Sequence, residues 1–502
     1  MGLNAAVPAK RPSTLKFDRG TLILHPPPSS AGWAGIAEWD DRIERLRAPA
    51  WQYRKLLEAL KKDGVELEDK ARGYATLELS GDTLLEPYAH QAAALEMWIN
   101  AGRRGVVVLP TGSGKTALAT MAMQRTKRSV LIVVPTLDLM QQWYATLEQT
   151  FPGQTIGLLG GGSRDLTEIV VATYDSAHRA IEAHGNKWGL LIFDEVHHLP
   201  GALYRLIAEQ SLAPYRLGLT ATLERSDGLH RDLEWLVGKT VFSAKPEDLA
   251  GGALAPYSVE QIRVSLTPDE RVQYDEALIA RDVFLGKQKI KLSSRDWWTR
   301  FVRASAKSRE GRAAMQAHRA LKRLAFATDS KLRALDRLLE QHIDDRVLIF
   351  TDDNASVYAI SAAFLIPAIT HQTPVKERHE ILERFKSGAY PAIVASKVLN
   401  EGVDVPDANT AIVLSGSGST REHVQRLGRV LRPRPGKHAV LYEVIAANTV
   451  EEKIAKRRKG ELVRSEPEPW QPKPTDPNRV SRLKLEPINP LETLDFDRLG
   501  RG

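Results

Sequence analysis

The sequence has 502 residues, of which 43% are hydrophobic and 26% charged, a balance typical of globular domains rather than of disordered or membrane-embedded chains. Its formal net charge of +8 favours a polyanionic partner, and its lack of cysteine excludes disulfides, thiolate metal sites and cysteine nucleophiles. The opening residues lack the apolar core of a secretory signal, and no apolar run is long enough to span a membrane. We therefore expect a cytoplasmic protein (nucleoid-associated if prokaryotic) with no membrane partner.

The first segment, residues 1–85, is predicted to form a small N-terminal accessory domain of α/β type. Residues 21–24 are predicted to form a short strand, and the charged stretch 40–64 has a helical periodicity that Pro49 interrupts and Gly64 ends. No motif in this segment carries chemistry.

The next segment, residues 86–262, alternates short apolar runs with helical stretches. The runs predicted as strands are 130–135, 168–173, 190–195 and 216–222. This alternation is typical of βαβ units and predicts a parallel sheet. Such sheets bind ligands beyond the carboxyl ends of their strands, and the candidate motifs of this segment fall at those ends.

The stretch GVVVLPTGSGKT at 105–116 joins an apolar strand to a glycine-rich turn and then to a helix-prone segment. The glycines let backbone N–H groups curl around an anion, and the helix N-terminus adds its positive dipole end. Lys115 would then reach the β- and γ-phosphates of a nucleotide, and the Thr116 hydroxyl would ligate Mg²⁺. The strict phosphate-loop pattern begins with glycine where this chain has Leu109.

A second motif, Asp-Glu-Val-His at 194–197, ends an apolar run downstream of the phosphate loop. Phosphoryl transfer to water needs a metal near the β- and γ-phosphates and a group that orients the attacking water. Asp194 suits the first role, through Mg²⁺, and Glu195 suits the second. The alternative is a pair of acidic residues that begins a loop.

Residues 263–340 have helical rather than strand patterns. Between residues 287 and 323 lie twelve Lys or Arg against two acidic residues, with Trp297, Trp298 and Phe301 among them. Cations near aromatic rings suit phosphate contact combined with base stacking. A solvated basic face over an aromatic core explains the same pattern equally well.

A second α/β pattern occupies residues 341–460. Its predicted strands are 346–352, 391–396, 410–415 and 438–444. The tail, residues 461–502, is rich in proline and charge and is expected to be extended or disordered. Tails of this kind either dock a partner or solubilise the chain.

A third motif, QRLGRVLR at 425–432, carries two arginines three residues apart. Arg429 and Arg432 would share one face of a helix, and they suit arginine fingers that approach a γ-phosphate. Gln425 would position water or the γ-phosphate. The alternative is a basic helix that makes surface ion pairs.

Eight motifs in order between residues 87 and 432 resemble those of superfamily 2 helicases of the DExH type. They are Gln91 after Pro87-Tyr88, LPTGSGKT (109–116), VVPTLDLMQQW (133–143), VATYDS (171–176), DEVH (194–197), Thr220-Ala221-Thr222, NEGVDVP (400–406) and QRLGRVLR (425–432). The closer resemblance is to XPB-type DNA helicases and translocases, through the phosphate loop, VVPTLDLMQQW, GLTATLERSDG and QRLGRVLRP. That family has an Arg-Glu-Asp triplet where this chain has Arg225-Ser226-Asp227.

The resemblance implies an α/β fold with two RecA-like parallel-sheet domains, a small N-terminal accessory domain and a helical, basic insertion. The expected domains are a damage-recognition-like domain (1–85), helicase domain 1 (86–262), a thumb-like segment (263–340), helicase domain 2 (341–460) and a flexible tail (461–502).

The resemblance also implies roles for single residues. ATP contacts are expected from Gln91, Gly112, Gly114, Lys115, Thr116, Gly402 and Asp404, and Mg²⁺ contacts from Thr116 and Asp194. Catalysis is expected from Glu195, Gln425, Arg429 and Arg432, and coupling of hydrolysis to strand binding from His197, Thr220 and Thr222. Nucleic-acid contacts are expected from Pro135, Thr136, Thr173, Arg225, Asp227, Ser396, Trp297, Trp298 and Arg300. For Thr173 and Ser396, a strand-end cap is an equal alternative.

The function implied is an ATP- and Mg²⁺-dependent DNA helicase or translocase that moves 3′ to 5′ in DNA repair or transcription-linked remodelling. We expect a monomer that acts on single-stranded, forked or junction DNA, with a nuclease or repair protein as a candidate partner. The alternatives are an RNA helicase, a duplex translocase that does not separate strands, and a nucleotide-controlled scaffold that does not hydrolyse ATP. The set of Lys115, Asp194 and Glu195 with the two arginines argues against the scaffold.

Overall fold

The computed structural model describes residues 12–28, 32–79, 86–223, 225, 227–294, 296–396, 408–415, 439–452 and 455. These residues form two compact units, one extending to Pro256 and the other beginning at Tyr257. Within these ranges, no helix has the length and apolar character needed to cross a membrane.

The N-terminal domain is a five-stranded sheet in the order β3-β4-β2-β1-β5, packed against helix α1 (Tyr53–Lys62). Its strands are β1 (Ser13–Asp18), β2 (Thr21–His25), β3 (Glu38–Asp40), β4 (Arg45–Pro49) and β5 (Leu67–Asp69). The predicted strand at 21–24 is confirmed. The helix predicted from residue 40 is wrong before residue 53, because Leu46 and Ala48 alternate inward with more exposed neighbours, which is the period of a strand.

The first parallel-sheet domain has eight strands in the order β13-β6-β12-β11-β7-β10-β8-β9, all parallel except the β8–β9 pair. The strands are β6 (Arg104–Val108), β7 (Val130–Val134), β8 (Ile156–Gly160), β9 (Ser163–Arg164), β10 (Ile169–Thr173), β11 (Leu190–Phe193), β12 (Tyr215–Thr220) and β13 (Thr240–Ser243). The helices are α2 (Ala89–Asn100), α3 (Lys115–Thr126), α4 (Leu137–Thr150), α5 (Tyr174–His184), α6 (Leu206–Glu209), α7 (Leu233–Leu236) and α8 (Pro246–Leu249). The four predicted strands are confirmed as β7, β10, β11 and β12.

The carboxyl ends of five parallel strands bring the predicted motifs to one edge of this sheet. β6 runs into the glycine-rich loop, β7 ends before Thr136, β10 ends at Thr173, β11 ends before Asp194, and β12 ends at Thr220. Ligands bind at this edge in parallel α/β sheets.

The N-terminal domain and this sheet domain share a packed boundary. Leu212 is buried among the core residues of the N-terminal domain. The indole rings of Trp51 and Trp235 lie 5.5 Å apart. Arg54 donates from Nη1 to the carbonyl oxygen of Gly102 at 2.8 Å. Apolar packing and hydrogen bonding therefore join the two domains within the first unit.

The second unit contains a six-stranded, wholly parallel sheet in the order β14-β19-β18-β15-β17-β16. Its strands are β14 (Tyr257–Val264), β15 (Val347–Phe350), β16 (Ala368–Ile369), β17 (Ala392–Ala395), β18 (Thr410–Val413) and β19 (Ala439–Ala446). Helices α12 (Asp329–Gln341), α13 (Asn354–Phe364) and α14 (Val375–Ser387) belong to the same unit. The predicted α/β fold class with two parallel-sheet domains is confirmed, while the expected boundary at residue 262 falls inside β14.

Three further helices lie between β14 and α12 in the chain. They are α9 (Pro268–Lys287), α10 (Trp297–Ser305) and α11 (Arg309–Phe326). Phe284, Ile290, Phe301 and Ala314 form a small core among them. A capping box at Thr267 begins α9, and Ser308 caps α11.

Candidate nucleotide and nucleic-acid site

The glycine-rich loop between β6 and α3 adopts a conformation that only glycine takes easily at two positions. Gly112 has φ +86 and Gly114 has φ +83, in the left-handed region. A Cβ atom on Gly114 would lie 2.1 Å from Nε2 of Gln91, so a side chain has no room there. Lys115 donates from Nζ to the carbonyl oxygens of Leu109 at 3.2 Å and Pro110 at 3.3 Å. The ammonium group therefore lies against the loop that it follows.

Gln91, on α2, holds the same loop from outside. Its Nε2 donates to the carbonyl oxygens of Ser113 and Gly114, both at 3.2 Å, and its Oε1 accepts from the backbone N–H of Tyr88 at 3.0 Å. The side chain is buried. The structure thus places Gln91 at the phosphate loop, where both ends of its amide bind backbone groups.

Asp194 follows β11 and is buried. Its Oδ2 accepts from the indole N–H of Trp143 at 2.9 Å, and its Oδ1 accepts from the backbone N–H of Glu195 at 2.9 Å. Burial, and after it the negative charge of Glu195, raise the pKa of Asp194 to about 6, while the positive charge of Lys115 acts in the opposite direction. The carboxylate is therefore a buried anion that a nearby cation would stabilise.

Glu195, His197 and Thr220 lie within hydrogen-bonding distance of one another. The Oε2 of Glu195 lies 3.3 Å from Nδ1 of His197 and 3.4 Å from Oγ1 of Thr220, and that Nδ1 lies 3.1 Å from the same hydroxyl oxygen. His197 and Thr220 are fully buried. Glu195 has φ +46, a left-handed conformation that costs energy for a residue with a side chain. The predicted coupling residues His197 and Thr220 therefore meet the predicted catalytic carboxylate.

Thr222 differs from Thr220 in its hydroxyl contacts. Its backbone N–H donates to Oγ1 of Thr220 at 3.2 Å, and its backbone oxygen accepts from that hydroxyl at 2.8 Å. Its own Oγ1 is buried without a hydrogen-bond partner within the described part of the chain.

Arg225 extends this network to the next loop. Its Nη1 donates to the carbonyl oxygen of His197, and its Nη2 pairs with Oδ2 of Asp227 at 2.6 Å. The hydrogen bond from Arg225 lowers the pKa of Asp227 well below its usual range. The arginine and aspartate that flank Ser226 are thus already paired with each other.

Thr136 and Thr173 both cap helices at the ligand-binding edge. The Oγ1 of Thr136 accepts from Leu139 N at 3.2 Å at the start of α4, and the Oγ1 of Thr173 accepts from Ser176 N at 3.3 Å at the start of α5. The cap expected as an alternative for Thr173 is therefore present. Pro135 directly precedes Thr136 in the connection from β7 to α4.

Sequence reasoning missed a glycine turn beside these two threonines. Residues 160–162 are three consecutive glycines after β8, with φ values of +150, +59 and +100. A Cβ atom on Gly160 would lie 3.1 Å from Thr173, and one on Gly161 would lie 3.1 Å from Leu137. The run of three glycines was the signal, because such a run marks close backbone approach at a strand end.

The basic helical segment contains both an aromatic core and an exposed indole. Phe301 is fully buried, whereas Trp298 is 44% exposed. The Trp298 ring lies 5.9 Å from that of Phe301 and 5.3 Å from that of His318. The partly buried Trp297 packs against the same core, with its ring 6.3 Å from that of Phe301. Arg300 is exposed and donates from Nη2 to the carbonyl oxygen of Lys289 at 3.3 Å. Eleven of the twelve predicted cations are described, and all eleven are exposed.

Six predicted site residues come late in the chain, and of these only Ser396 lies within the described ranges. Ser396 is buried directly after β17, and its backbone N–H donates to Ile369 O at 3.1 Å. The predicted residues that lie outside the described ranges are Gly402, Asp404, Gln425, Arg429 and Arg432.

Sequence reasoning also gave no role to two aromatic residues that hold the Asp-Glu motif. Trp143 binds the Asp194 side chain, as described above, and Tyr174 donates its hydroxyl to the carbonyl oxygen of Asp194 at 3.0 Å. Both residues lie within motifs that carry the resemblance, but only the tertiary fold shows that they contact Asp194.

Three family models match the chain. Residues 15–71 match the xeroderma pigmentosum group B (XPB) helicase damage recognition domain, residues 84–225 match the res subunit of type III restriction enzymes, and residues 311–465 match the ERCC3/RAD25/XPB C-terminal helicase.

Curated relatives extend the similarity across most of this chain. The chain is 40% identical over 445 residues to a Sulfurisphaera tokodaii protein named DNA 3′-5′ translocase XPB2, covering 89% of this chain and 99% of that protein. It is 30% identical over 379 residues to a Mycobacterium tuberculosis protein named DNA 3′-5′ helicase XPB, covering 73% of this chain and 61% of that protein. A Saccharomyces cerevisiae relative, named as the helicase/translocase subunit XPB/SSL2 of general transcription and DNA repair factor IIH, is 25% identical, with 77% of this chain and 44% of that protein covered.

The fold also has a solved counterpart. The crystal structure of the Pyrococcus furiosus Hef helicase domain superposes with a TM-score of 0.53 at 20% sequence identity, covering 76% of this chain and 99% of that one.

Proposed function

Because the chain belongs to the XPB family of helicases and translocases, we propose that it is an ATP-hydrolysing DNA motor that moves 3′ to 5′ in DNA repair or transcription-linked remodelling. The observation that carries the proposal is the arrangement at one sheet edge of a phosphate loop, the buried Asp194 followed by the partly buried Glu195, and a relay formed by the hydrogen-bonded side chains of His197 and Thr220. Direction and substrate are taken from the names of the relatives.

Mg²⁺ fits the residues of this edge. Asp194 is a buried carboxylate whose two oxygens accept hydrogen bonds from neutral N–H donors, so a cation would complete its environment. No group of three or more His, Cys, Asp or Glu residues that could hold a metal occurs in those ranges. Mg²⁺ held by one carboxylate, a threonine hydroxyl and phosphate oxygens needs no such group.

We propose that Asp194 and the Thr116 hydroxyl hold Mg²⁺, which when bound neutralises charge that develops on the β- and γ-phosphates. Lys115 would leave the loop carbonyls and bind the phosphates. Glu195 would orient the attacking water and receive its proton. Gly112 and Gly114 would present backbone N–H groups, and Gln91 would keep that loop in place or read the base.

The remaining ATP-site residues are proposed from the resemblance. Gly402, Asp404, Gln425, Arg429 and Arg432 would contact the nucleotide or the γ-phosphate from the second helicase domain. Arginines in this role stabilise charge in the transition state.

Coupling would run through the hydrogen-bonded residues behind Glu195. His197 and Thr220 touch the carboxylate, and Arg225 touches the backbone of His197. A change at the Arg225 loop on strand binding would therefore be felt at the residue that orients water. Thr222 would contribute through its backbone.

We further propose nucleic-acid contacts in each unit. Pro135, Thr136 and Thr173 line the sheet edge with the glycine turn at 160–162, where small residues let a phosphate backbone approach N–H donors. Arg225 and Ser396 are further candidates for contact with phosphates, and Asp227, paired with Arg225, is a further candidate nucleic-acid contact. Trp297, Trp298 and Arg300 would grip the strand from the basic helices.

A duplex translocase that does not separate strands is the second candidate. Serine at position 226 replaces the acid of the Arg-Glu-Asp triplet, and the Sulfurisphaera relative is named a translocase. Forked or junction DNA would then be bound without being opened.

We propose that the protein acts as a monomer in the cytoplasm, on the nucleoid if prokaryotic, with a nuclease or repair protein as partner. The domains would follow the expected divisions, with helicase domain 2 including β14 and the tail available for docking.

The test is ATP turnover with single-stranded DNA, duplex DNA, RNA or no nucleic acid, in the wild type, Glu195→Gln and the control Glu148→Gln. Glu148 is an exposed acid on α4, so its loss should leave turnover unchanged. Stimulation by DNA that Glu195→Gln abolishes supports the proposal. Turnover that no nucleic acid changes contradicts it, and stimulation by RNA alone favours an RNA helicase. Displacement of a strand from a fork, compared with displacement of a third strand from a triplex, separates helicase from translocase.

A further inference from the structure

Trp143 joins the middle of α4 to the Asp-Glu motif. Its side chain is almost fully buried, and its indole N–H donates to Oδ2 of Asp194 at 2.9 Å. The other carboxylate oxygen, Oδ1, accepts from the backbone N–H of Glu195 at 2.9 Å. One donor therefore fixes each oxygen, and together they set the plane in which the carboxylate lies.

This orientation bears directly on a metal ligand. Residues that hydrogen-bond to a metal ligand set its direction, and their loss typically weakens metal binding by about 10- to 100-fold. Asp194 is the carboxylate proposed above to hold Mg²⁺. Mg²⁺ demands near-ideal octahedral geometry, so a carboxylate that turns away loses much of its affinity.

The same helix begins at a proposed nucleic-acid contact. Thr136 caps α4 through its hydroxyl, and Trp143 follows two helical turns later. A helix of this length is rigid across two turns, so a shift of its first residue moves the indole as well. Thr136 is thus connected to Asp194 through the backbone of α4 and through the hydrogen bond that Trp143 donates.

We propose that Trp143 is a positioning residue that aims the Asp194 carboxylate at Mg²⁺, and that α4 transmits strand binding at Thr136 to the metal site. The inference rests on the proposed function for the identity of both ligands. It goes beyond that function because it names the element that connects them.

The test is Trp143→Phe, which keeps an aromatic ring in the core and removes the N–H donor. The matched control is Trp188→Phe in the same domain, because Trp188 is fully buried and its indole donates to the carbonyl oxygen of Thr167 at 3.4 Å. The affinity of each variant for a fluorescent ADP analogue is measured twice, once in the presence of Mg²⁺ and once in the presence of EDTA. We expect Trp143→Phe to weaken the Mg²⁺-dependent part of the affinity by about 10- to 100-fold and to leave the EDTA affinity unchanged. An equal Mg²⁺ dependence in the two variants would overturn the positioning role.

A rescue variant covers the case in which Trp143→Phe does not fold. In Trp143→His, an imidazole N–H occupies the place of the indole N–H, because the two five-membered rings superpose. It should recover much of the Mg²⁺ dependence despite the smaller ring. Mg²⁺ dependence as weak as that of a donor-less Trp143→Leu would count against the proposal.

Transmission is read separately, as the ratio of DNA-stimulated to basal turnover at saturating Mg²⁺. We expect this ratio to fall in Trp143→Phe and to stay at the wild-type value in Trp188→Phe. An unchanged ratio would refute transmission through α4. If DNA fails to stimulate the wild type, the proposed function fails, while the Mg²⁺ dependence of the affinity still decides the positioning role.

Discussion

Replacing Thr220 with valine removes one hydroxyl from the centre of the buried relay and keeps the shape of the side chain. That hydroxyl lies 3.1 Å from Nδ1 of His197 and 3.4 Å from Oε2 of Glu195, and it binds both backbone groups of Thr222. It has one hydrogen to donate, and its 2.8 Å contact with the backbone oxygen of Thr222 is the shortest of these. The variant therefore leaves several buried polar groups with one partner fewer.

The expected magnitudes follow from those contacts. Leaving a buried donor or acceptor unsatisfied costs about 1–3 kcal/mol, so the free energy of unfolding should fall by about that amount. A loss of about 1.4 kcal/mol in the transition state lowers the rate tenfold. We expect DNA-stimulated ATP turnover to fall about tenfold or more, while the affinity for the fluorescent ADP analogue stays the same, because Thr220 lies behind Glu195 and not at the phosphate loop.

Thr222→Val is the matched control for this prediction. The Thr222 hydroxyl is buried without a hydrogen-bond partner in the described ranges, so valine at this position should leave stability and stimulated turnover close to wild type. Turnover and thermal unfolding measured on both variants decide the matter. If Thr222→Val is as damaging as Thr220→Val, or if Thr220→Val keeps full stimulation, the relay does not work through the Thr220 hydroxyl.

Three further predictions follow from buried or exposed groups. Lys331→Met should lower the free energy of unfolding by about 3–5 kcal/mol, because Nζ of Lys331 pairs with Oε2 of Glu451 at 2.6 Å in the core of the second unit. Adding Glu451→Gln should recover part of that loss, as measured by hydrogen exchange of β18 and β19. Asp194→Asn should remove a pH dependence of stability: the folded pKa of Asp194 is raised to about 6 from 3.8, so the nucleotide-free wild type loses stability as pH rises through that window, and melting temperatures of the variant should not show that fall. Trp298→Ala should weaken single-stranded DNA binding by about 1–3 kcal/mol and remove the preference for a base over an abasic site, whereas Val302→Ala, 41% exposed on the same helix, should leave binding unchanged.

The sequence predicted the parallel sheets well because their strands are short apolar runs bounded by motif residues. Burial on both faces demands such runs, and four of them in the first sheet and four in the second became strands. The N-terminal sheet was predicted less well. In β4, arginines alternate with Leu46 and Ala48. Because this charged strand shortly precedes the helix that begins at Tyr53, the two together have the composition of one longer helix.

In the candidate site too, some features could be predicted from the sequence and others could not. Glycine, lysine and carboxylates in fixed spacing predicted the phosphate loop and the Asp-Glu motif, because their chemistry is local to the loop that carries them. The contacts of Trp143 and Gln91 with those motifs span 51 and 22 residues of sequence, and only the tertiary fold brings them together. The helical spacing of Trp298 and Phe301 did not predict which of the two side chains is exposed to solvent.

The boundary between the N-terminal domain and the first sheet has a consequence for how this protein can be dissected. Leu212 belongs by sequence to the first parallel-sheet domain but lies in the core of the domain before it, and Trp235 packs on Trp51 across the same boundary. A protein shortened to begin at residue 86 would expose these apolar surfaces to water. Loss of activity after such a deletion would therefore report aggregation or misfolding as readily as loss of DNA recognition. Point substitutions at exposed positions of the five-stranded sheet, such as Lys16, are the cleaner way to ask what that domain does.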